Sequence, residues 1–194
     1  MCGIAGFLGL EPLVGDGATE NLRRMAQTIA HRGPDGEGIW HDAAAGIGLA
    51  HRRLAIIDLS PLAAQPMQSG SGRLVISFNG EIYNYRALRS DLERAGRRFR
   101  SASDTEVLLE AIECWGVEAA LQRARGMFAF ALWDREERSL SLARDRFGEK
   151  PLHFGQFGGT LLFGSELKAL RAHSAWNAQL NRDAHRSAVI AVAV

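Results

Sequence analysis

The sequence predicts an α+β fold in which antiparallel sheets pack against helices in layers. Strand patterns dominate the start of the chain, two helical patterns occupy its middle, and a run of short strand patterns at hairpin spacing follows. This order lacks the regular strand–helix alternation that is typical of a parallel sheet, so antiparallel pairing is favoured. A chain of 194 residues with 46% hydrophobic content can bury a substantial core as one domain.

The chain begins with a predicted strand and a predicted helix. Residues 2–9 (CGIAGFLG) are short, apolar and ended by glycine, which is typical of a buried strand. Residues 19–30 have apolar side chains at helical spacing, with Thr19 as the expected N-cap, and Gly33 and Pro34 end the helix. The apolar positions of this helix are Leu22, Met25, Ala26 and Ile29.

Three further strands are predicted before residue 80. Residues 38–42 (GIWHD) and 46–54 (GIGLAHRRL) indicate two strands joined by a tight turn, and residues 73–78 (RLVISF) indicate another that ends at Asn79-Gly80. Asn-Gly is a common hairpin turn, and a glycine at a strand end can also expose its backbone N–H in an unusual conformation. From the residues alone, the simple hairpin turn is the favoured interpretation of this dipeptide.

Two helices are predicted in the middle of the chain. Residues 83–96 (YNYRALRSDLERAG) form the first, with Gly96 at its C-terminal end. Residues 103–116 (SDTEVLLEAIECWG) form the second, with Ser103 as N-cap and Glu106 three residues later, which is the spacing of a capping box. The apolar face of the second helix contains Val107, Leu108, Ala111, Ile112 and Trp115.

The remainder of the chain is rich in predicted strands. Residues 127–134 (MFAFALWD) alternate large and small apolar side chains, so we expect both faces of this strand to be buried. Residues 139–145, 151–157 and 160–166 follow at hairpin spacing, and residues 166–173 form a short helix. This meander favours an antiparallel sheet.

Composition and motifs exclude several classes of protein. The net charge of +1 implies no strong attraction to nucleic acid or to an anionic membrane. The apolar runs are too short to cross a bilayer, and the start of the chain lacks the basic region of a signal peptide. Two cysteines favour a reducing, cytoplasmic setting. Phosphate-loop and zinc motifs are missing, and the six histidines lack metal-ligand spacing, so no metal is expected.

Cys2 lies directly behind Met1, and two interpretations of it are open. It could be an incidental strand residue, because free cysteine behaves as a small apolar side chain. Alternatively, Met1 is trimmed before this small residue, and Cys2 then carries both a thiol and a free α-amine. The α-amine would have an ordinary pKa of about 7.7–8.0, which suits a general base at neutral pH. Such a residue could activate its own nucleophile.

A set of nine motifs decides between these interpretations. In chain order they are MCGIAGFLG, HRGPDGEGIW, AHRRLAIIDLS, AAQPM, FNGEIYNYRALR, SDTEVLLEAIECWG, RGMFAFALWD, ARDRFGEKPLHF and LLFGSELKAL. This set resembles the glutamine-hydrolysing domain of glutamine-dependent asparagine synthetases, a class II glutamine amidotransferase with an N-terminal nucleophile (Ntn). The resemblance implies the four-layer α/β/β/α sandwich of Ntn hydrolases, with two mostly antiparallel sheets.

The resemblance also implies roles for individual residues. Cys2 would attack the side-chain amide of L-glutamine and form a thioester. Asn79 and Gly80 would form the oxyanion hole, and Arg53 would bind the glutamine α-carboxylate. Asp104 would bind the α-ammonium, although an acid in the first turn of a helix also complements the helix dipole. Further pocket residues would be Leu54, Ala55, Ile56, Ile57 and Glu81.

The resemblance covers residues 1–172, which we expect to form the glutaminase domain. Residues 173–194 diverge from the family and end in HRSAVIAVAV, so we expect a truncated or divergent tail without the synthetase domain. ATP and Mg²⁺ would belong to that domain, so no cofactor is expected in this chain. The expected partners are L-glutamine and a synthetase domain or subunit that accepts ammonia. Two alternatives stay open: a degenerate non-catalytic module, and an amidotransferase with a peptide or cell-surface sugar as acceptor.

Overall fold

The computed structural model describes residues 1–12 and 16–177, which contain two antiparallel β-sheets flanked by helices. The first sheet contains five strands: β1 (Gly3–Gly9), β2 (Gly36–Asp42), β3 (Ile47–Arg53), β8 (His153–Phe157) and β9 (Thr160–Gly164). Their spatial order is β2–β3–β1–β9–β8, so the strand that follows Cys2 lies at the centre of this sheet.

The second sheet contains four strands: β4 (Met67–Gln68), β5 (Leu74–Ile82), β6 (Gly126–Asp134) and β7 (Ser139–Arg144). Their spatial order is β4–β5–β6–β7. The strand pairings of both sheets are antiparallel, as the sequence predicts. The very short β4 pairs with Val75 and Ile76 of β5, so the second half of β5 has no strand neighbour on that side among residues 1–12 and 16–177.

Five α-helices occur in the described part of the chain: α1 (Gly17–Thr28), α2 (Tyr85–Arg94), α3 (Asp104–Trp115), α4 (Val117–Arg123) and α5 (Leu167–Arg171). Two short 3-10 turns cover Ala30–Arg32 and Pro61–Ala63. No helix within residues 1–12 and 16–177 is long and apolar enough to cross a membrane.

Three hydrophobic clusters define the layers. One cluster packs α1 and α5 against the outer face of the first sheet, through residues such as Leu22, Met25 and Leu170. A second packs α2, α3 and α4 against the outer face of the second sheet. The third lies between the two sheets and contains Ile47, Leu49, Val75, Ala131, Trp133 and Phe163. The order is therefore α/β/β/α, which confirms the predicted four-layer sandwich.

Local sequence patterns predicted most of these elements correctly. Residues 128–133 of β6 are buried, so both faces of that strand are covered, as expected from its apolar alternation. Ser103 is the N-cap of α3, and its hydroxyl oxygen accepts a hydrogen bond from the Thr105 backbone N–H at 3.1 Å. The chain segment 178–194, which includes most of the predicted divergent tail, lies outside the described residues.

The prediction that a strand ends at Asn79-Gly80 is wrong. β5 continues through both residues to Ile82, with Asn79 opposite Ala129 and Gly80 opposite Phe128. A Cβ on Gly80 would lie 2.3 Å from the Met127 carbonyl oxygen. Gly80 is therefore required by the close approach of β6, rather than by the turn geometry that Asn-Gly suggests.

Smaller corrections concern helix ends. The N-cap of α1 is Asp16 instead of Thr19, and α1 ends at Thr28 before a 3-10 turn. The Glu106 carboxylate accepts hydrogen bonds from the backbone N–H groups of Arg100 and Ser101, so it does not close a capping box with Ser103. The sequence patterns also did not predict α4, a helix of seven residues that follows α3 almost directly.

Candidate functional site

A cavity of about 150 Å³ opens between the two sheets, at the end formed by the start of β1, the end of β3 and the second half of β5. Every residue that the sequence analysis assigned to the glutamine site lines this cavity: Cys2, Arg53, Leu54, Ala55, Ile56, Ile57, Asn79, Gly80, Glu81 and Asp104. The fold thus brings together residues that are up to 102 positions apart in the chain.

The alternation of side chains along each strand explains this convergence. Ile47 and Leu49 of β3 belong to the cluster between the sheets, so Arg53 shares their face. The neighbouring Arg52 points the other way, where it donates to the Gly33 carbonyl oxygen and pairs with Glu37. On β5, Asn79 shares the face of Val75, which also lies between the sheets. The first and second sheets therefore supply opposite walls of the cavity.

The Cys2 side chain is partly buried and contacts the backbone of Leu54. The Leu54 N–H lies 3.4 Å from Cys2 Sγ, and the thiol lies 3.6 Å from the Leu54 carbonyl oxygen. Burial raises the pKa of the Cys2 thiol, and the hydrogen bond with Leu54 offsets this effect only in part. The thiol is therefore protonated at neutral pH in the chain that retains Met1.

Arg32 holds the backbone of Cys2 in place. Its Nε donates to the Cys2 carbonyl oxygen at 2.9 Å, and its Nη1 pairs with Glu166 at 3.1 Å. Burial opposes ionisation of Glu166, but hydrogen bonds from Lys168, Arg32 and His31 outweigh it and lower the pKa of Glu166 to about 2. A chain of charged contacts thus fixes the position of the Cys2 peptide.

Asn79 and Gly80 provide hydrogen-bond donors in the wall of the cavity that Cys2 also lines. Asn79 is 1% exposed, and its Nδ2 is buried without a hydrogen-bond partner in the described part of the chain. The Phe78 N–H is directed away from β6, because it donates to Gln65 Oε1 at 2.7 Å. Backbone N–H groups two residues apart point to the same side of a strand, so the Gly80 N–H also points to the open edge of β5.

Arg53 and Asp104 place opposite charges in the cavity. Arg53 Nη2 donates to the carbonyl oxygens of Asp58 and Ser60, which leaves other donors of its guanidinium for a ligand. Asp104 is 5% exposed, and its Oδ2 accepts from the Ile82 N–H at 2.9 Å. Burial is the main reason that the pKa of Asp104 rises to about 6, and the nearby Glu81 carboxylate adds to this shift. The pair suits a ligand that carries a carboxylate and an ammonium.

The cavity also contains residues to which the sequence analysis gave no role. They include Gln65, Thr105, Met127 and Lys150. Lys150 is 6% exposed, and its Nζ lies 3.5 Å from the Met1 sulfur. Gln65 and Lys150 both lie within quoted motifs, AAQPM and ARDRFGEKPLHF, but only tertiary packing brings them to the cavity. Within the described ranges, no group of three or more His, Cys, Asp or Glu residues could hold a metal ion.

Comparison with known proteins shows similarity to glutamine amidotransferase domains. A family model described as a glutamine amidotransferase domain matches residues 1–193. "Asparagine synthetase [glutamine-hydrolyzing] 1" of Bacillus subtilis (strain 168) is 44% identical over 171 residues, which cover 88% of this chain and 26% of the relative. "Amidase chry2" of Gibberella zeae is 36% identical over 180 residues, which cover 89% of this chain and 26% of the relative.

A third relative, "Putative asparagine synthetase [glutamine-hydrolyzing]" of Mycobacterium tuberculosis (strain ATCC 25618 / H37Rv), is 41% identical over 182 residues, covering 88% of this chain and 28% of the relative. The chain thus spans little more than a quarter of the length of these curated relatives.

Solved structures share the fold. The glutamine phosphoribosylpyrophosphate amidotransferase from B. subtilis, complexed with ADP and GMP, matches with a TM-score of 0.70 at 22% identity, over 90% of this chain and 44% of that chain. A structure of "the allosteric regulatory enzyme of purine biosynthesis" matches with a TM-score of 0.73 at 23% identity and the same coverage. From the match to nearly its whole length and from its asparagine synthetase relatives, the chain belongs to the glutamine amidotransferase domain family.

Proposed function

We propose that this chain hydrolyses the side-chain amide of L-glutamine to glutamate and ammonia through a thioester on Cys2. The observation that carries this proposal is the convergence of a thiol, two candidate oxyanion donors, a guanidinium and a carboxylate around one cavity. The guanidinium and the carboxylate are complementary to the charged groups on the α-carbon of glutamine. The thiol and the two donors are suited to reaction at its side-chain amide.

Substrate recognition would depend on Arg53 and Asp104. The guanidinium of Arg53 would bind the α-carboxylate in a charge-assisted contact, and the Asp104 carboxylate would accept hydrogen bonds from the α-ammonium. Glu81 lies beside Asp104 and would add negative charge at the same end. The backbone of Leu54 to Ile57 would line the bound substrate. A neutral amide at the other end of glutamine would then meet Cys2.

The chemistry would require removal of Met1, because the Cys2 nitrogen is otherwise part of a peptide bond and cannot act as a base. After trimming, the α-amine of Cys2 would take the thiol proton, and Sγ would attack the amide carbon. Asn79 Nδ2 and the Gly80 N–H would stabilise the oxyanion. The carbon–nitrogen bond would then break, with the proton passing from the α-amine to the leaving ammonia. Water would hydrolyse the thioester, which releases glutamate and restores the thiol.

The fate of the ammonia is a further part of the proposal. The asparagine synthetase relatives are much longer than this chain, which supports a synthetase domain or subunit as ammonia acceptor. ATP and Mg²⁺ would act there and not in the glutaminase site. The scarcity of cysteine supports a reducing, cytoplasmic setting for this activity. A peptide or a sugar as the ammonia acceptor would leave the glutaminase site unchanged.

The decisive experiment compares two forms of the protein that mass spectrometry distinguishes, with and without Met1. Each form is incubated with glutamine, and glutamate and ammonia are followed separately. We expect activity in the trimmed form alone, with loss on Cys2→Ala. Cys114→Ser is the matched control, because Cys114 is the other cysteine and lies exposed on α3, away from the cavity. Full activity with Met1 retained, or with Cys2→Ala, would refute the proposed mechanism.

A folded, trimmed wild-type protein that releases no glutamate would instead support the non-catalytic module. Ammonia without an equal amount of glutamate would indicate a different substrate.

A further inference from the structure

Side chains hold the backbone of Phe78 beyond the point where β4 ends. β4 pairs with β5 only at Val75 and Ile76, so within the described part of the chain no strand pairs with the Phe78 N–H and carbonyl groups, which point to the same side. Instead, the Phe78 N–H donates to Gln65 Oε1 at 2.7 Å. The Phe78 carbonyl oxygen accepts from His51 Nε2 at 3.0 Å. Two side chains thus replace the missing strand directly before Asn79.

His51 connects the two sheets through this contact. It lies on β3, next to the strand that follows Cys2, and is 1% exposed. Burial lowers the pKa of His51 to about 4, so the ring is neutral at neutral pH. A neutral ring that faces a carbonyl oxygen must carry its proton on Nε2, and Nδ1 is buried without a hydrogen-bond partner among the described residues. The hydrogen bond from Nε2 to Phe78 is therefore made while Nδ1 stays without a partner.

Gln65 extends the connection to the helix that carries Asp104. Its Nε2 lies 3.3 Å from Thr105 Oγ1 in the first turn of α3, next to Asp104. One side chain therefore contacts both the strand that carries Asn79 and the helix that carries Asp104. These hydrogen bonds of Gln65 are partly buried, and each constrains both partners because breaking it leaves polar groups with limited access to water.

We infer that His51 and Gln65 are positioning residues that fix Asn79 and Gly80 relative to Cys2, an inference that rests on the proposed function. His51 joins the strand of the oxyanion donors to the sheet of the nucleophile. Gln65 joins the same strand to the helix of Asp104. Neither residue needs to touch glutamine. Their effect is geometric, since a misplacement of about 1 Å at a reacting centre can cost about 100-fold in rate.

The two residues should differ in their kinetic effects. His51→Phe keeps a ring but removes the donor, so we expect kcat to fall about 10- to 100-fold with KM for glutamine within about twofold. His51→Gln restores a donor and should recover most of this loss. Gln65→Met removes the contacts to both Phe78 and Thr105, so it should lower kcat and raise KM together.

Ser77→Ala is the matched control. The Ser77 hydroxyl donates to the Ala50 carbonyl oxygen at 3.1 Å, which is a second buried contact between β5 and β3, one residue from each member of the His51 contact. Loss of the Ser77 hydroxyl removes a similar hydrogen bond but leaves the contacts of Phe78 in place. We expect a lower stability to urea but a kcat within about twofold of the wild type.

The test combines glutamate release with two measurements that do not depend on it. Alkylation of Cys2 by iodoacetamide forms no oxyanion, so its rate in His51→Phe should stay within about twofold of the wild type. Amide hydrogen exchange at residues 79–80 should be faster in His51→Phe and Gln65→Met than in Ser77→Ala. The inference is overturned if exchange there is unchanged, if alkylation falls as much as kcat, or if Ser77→Ala loses as much kcat as His51→Phe.

If His51→Phe does not fold, the same comparison is made with His51→Gln and Gln65→Met. A wild type without glutaminase activity would refute the proposed function, whereas the exchange data would still decide the role of His51 and Gln65.

Discussion

Replacement of Asp104 by Asn tests how the cavity recognises the charge of its substrate. Asn has nearly the same shape, and its Oδ1 can still accept the hydrogen bond from the Ile82 N–H that Asp104 Oδ2 accepts. The substitution therefore removes the negative charge with little change in packing. Binding is best measured as the Kd of glutamine in the Cys2→Ala background, because no turnover occurs there.

The pKa of Asp104, raised to about 6 mainly by burial, sets the expected pH dependence. At pH 7.5 nearly every molecule carries the carboxylate, whereas at pH 5 only about one in ten does, because each pH unit below the pKa lowers the ionised fraction tenfold. The α-ammonium of glutamine stays protonated across this range. The Kd should thus be about tenfold higher at pH 5 than at pH 7.5, with a midpoint near pH 6.

Asp104→Asn should remove this pH dependence and weaken binding at pH 7.5. A hydrogen bond to a charged group contributes about 1.5–3 kcal/mol, which corresponds to a Kd about 10- to 150-fold higher. Isothermal titration at constant ionic strength measures both effects. Glu81→Gln is an internal check, because loss of that carboxylate should move the midpoint to lower pH. A Kd that is flat between pH 5 and 7.5, or that is unaffected by Asp104→Asn, would refute the assigned role.

Three further substitutions have defined outcomes. Asn79→Ala should lower kcat about 10²–10³-fold with little change in KM, because the oxyanion forms after binding; an equal rise in KM would argue for a binding role. Gly80→Ala places a Cβ 2.3 Å from the Met127 carbonyl oxygen. It should cost about 1–3 kcal/mol in urea unfolding, and unchanged stability would contradict the close packing of β6. Glu166→Gln should cost about 1 kcal/mol at pH 7, since Glu166 is partly exposed. The pKa of Glu166 is lowered to about 2 in the folded state, so this difference should shrink as pH falls from about 4.5 towards 2.

Local patterns in the amino-acid sequence are sufficient to predict several elements of the fold. Apolar periodicity predicted β1, α3 and the doubly buried β6, and a polar N-cap marked the start of α3 at Ser103. The residues of the candidate site could also be named, because their motifs resemble a known family. These inferences succeed because side chains a few positions apart decide which face of a helix or strand is buried.

Other features depend on contacts between distant segments, so local patterns did not predict them. Asn79-Gly80 has the local signature of a turn, yet pairing with β6 extends the strand through it. Glu106 has the spacing of a capping box, but the loop before α3 offers two N–H groups that bind it instead. The Asp104 carboxylate is an ordinary acid in the sequence, and burial in the folded chain is the main reason that its pKa rises.

The contacts of His51 and Gln65 with Phe78, beside the cavity, also could not be predicted from the sequence. His51 and Gln65 meet at Phe78 from positions 27 and 13 residues away, at the one stretch of β5 where β4 has ended. Strand periodicity predicts which way each side chain points, but it contains no information about where a neighbouring strand stops. The physical reason is that a buried backbone group without a strand partner needs another hydrogen-bond partner. Which side chain can reach it depends on how the whole chain packs.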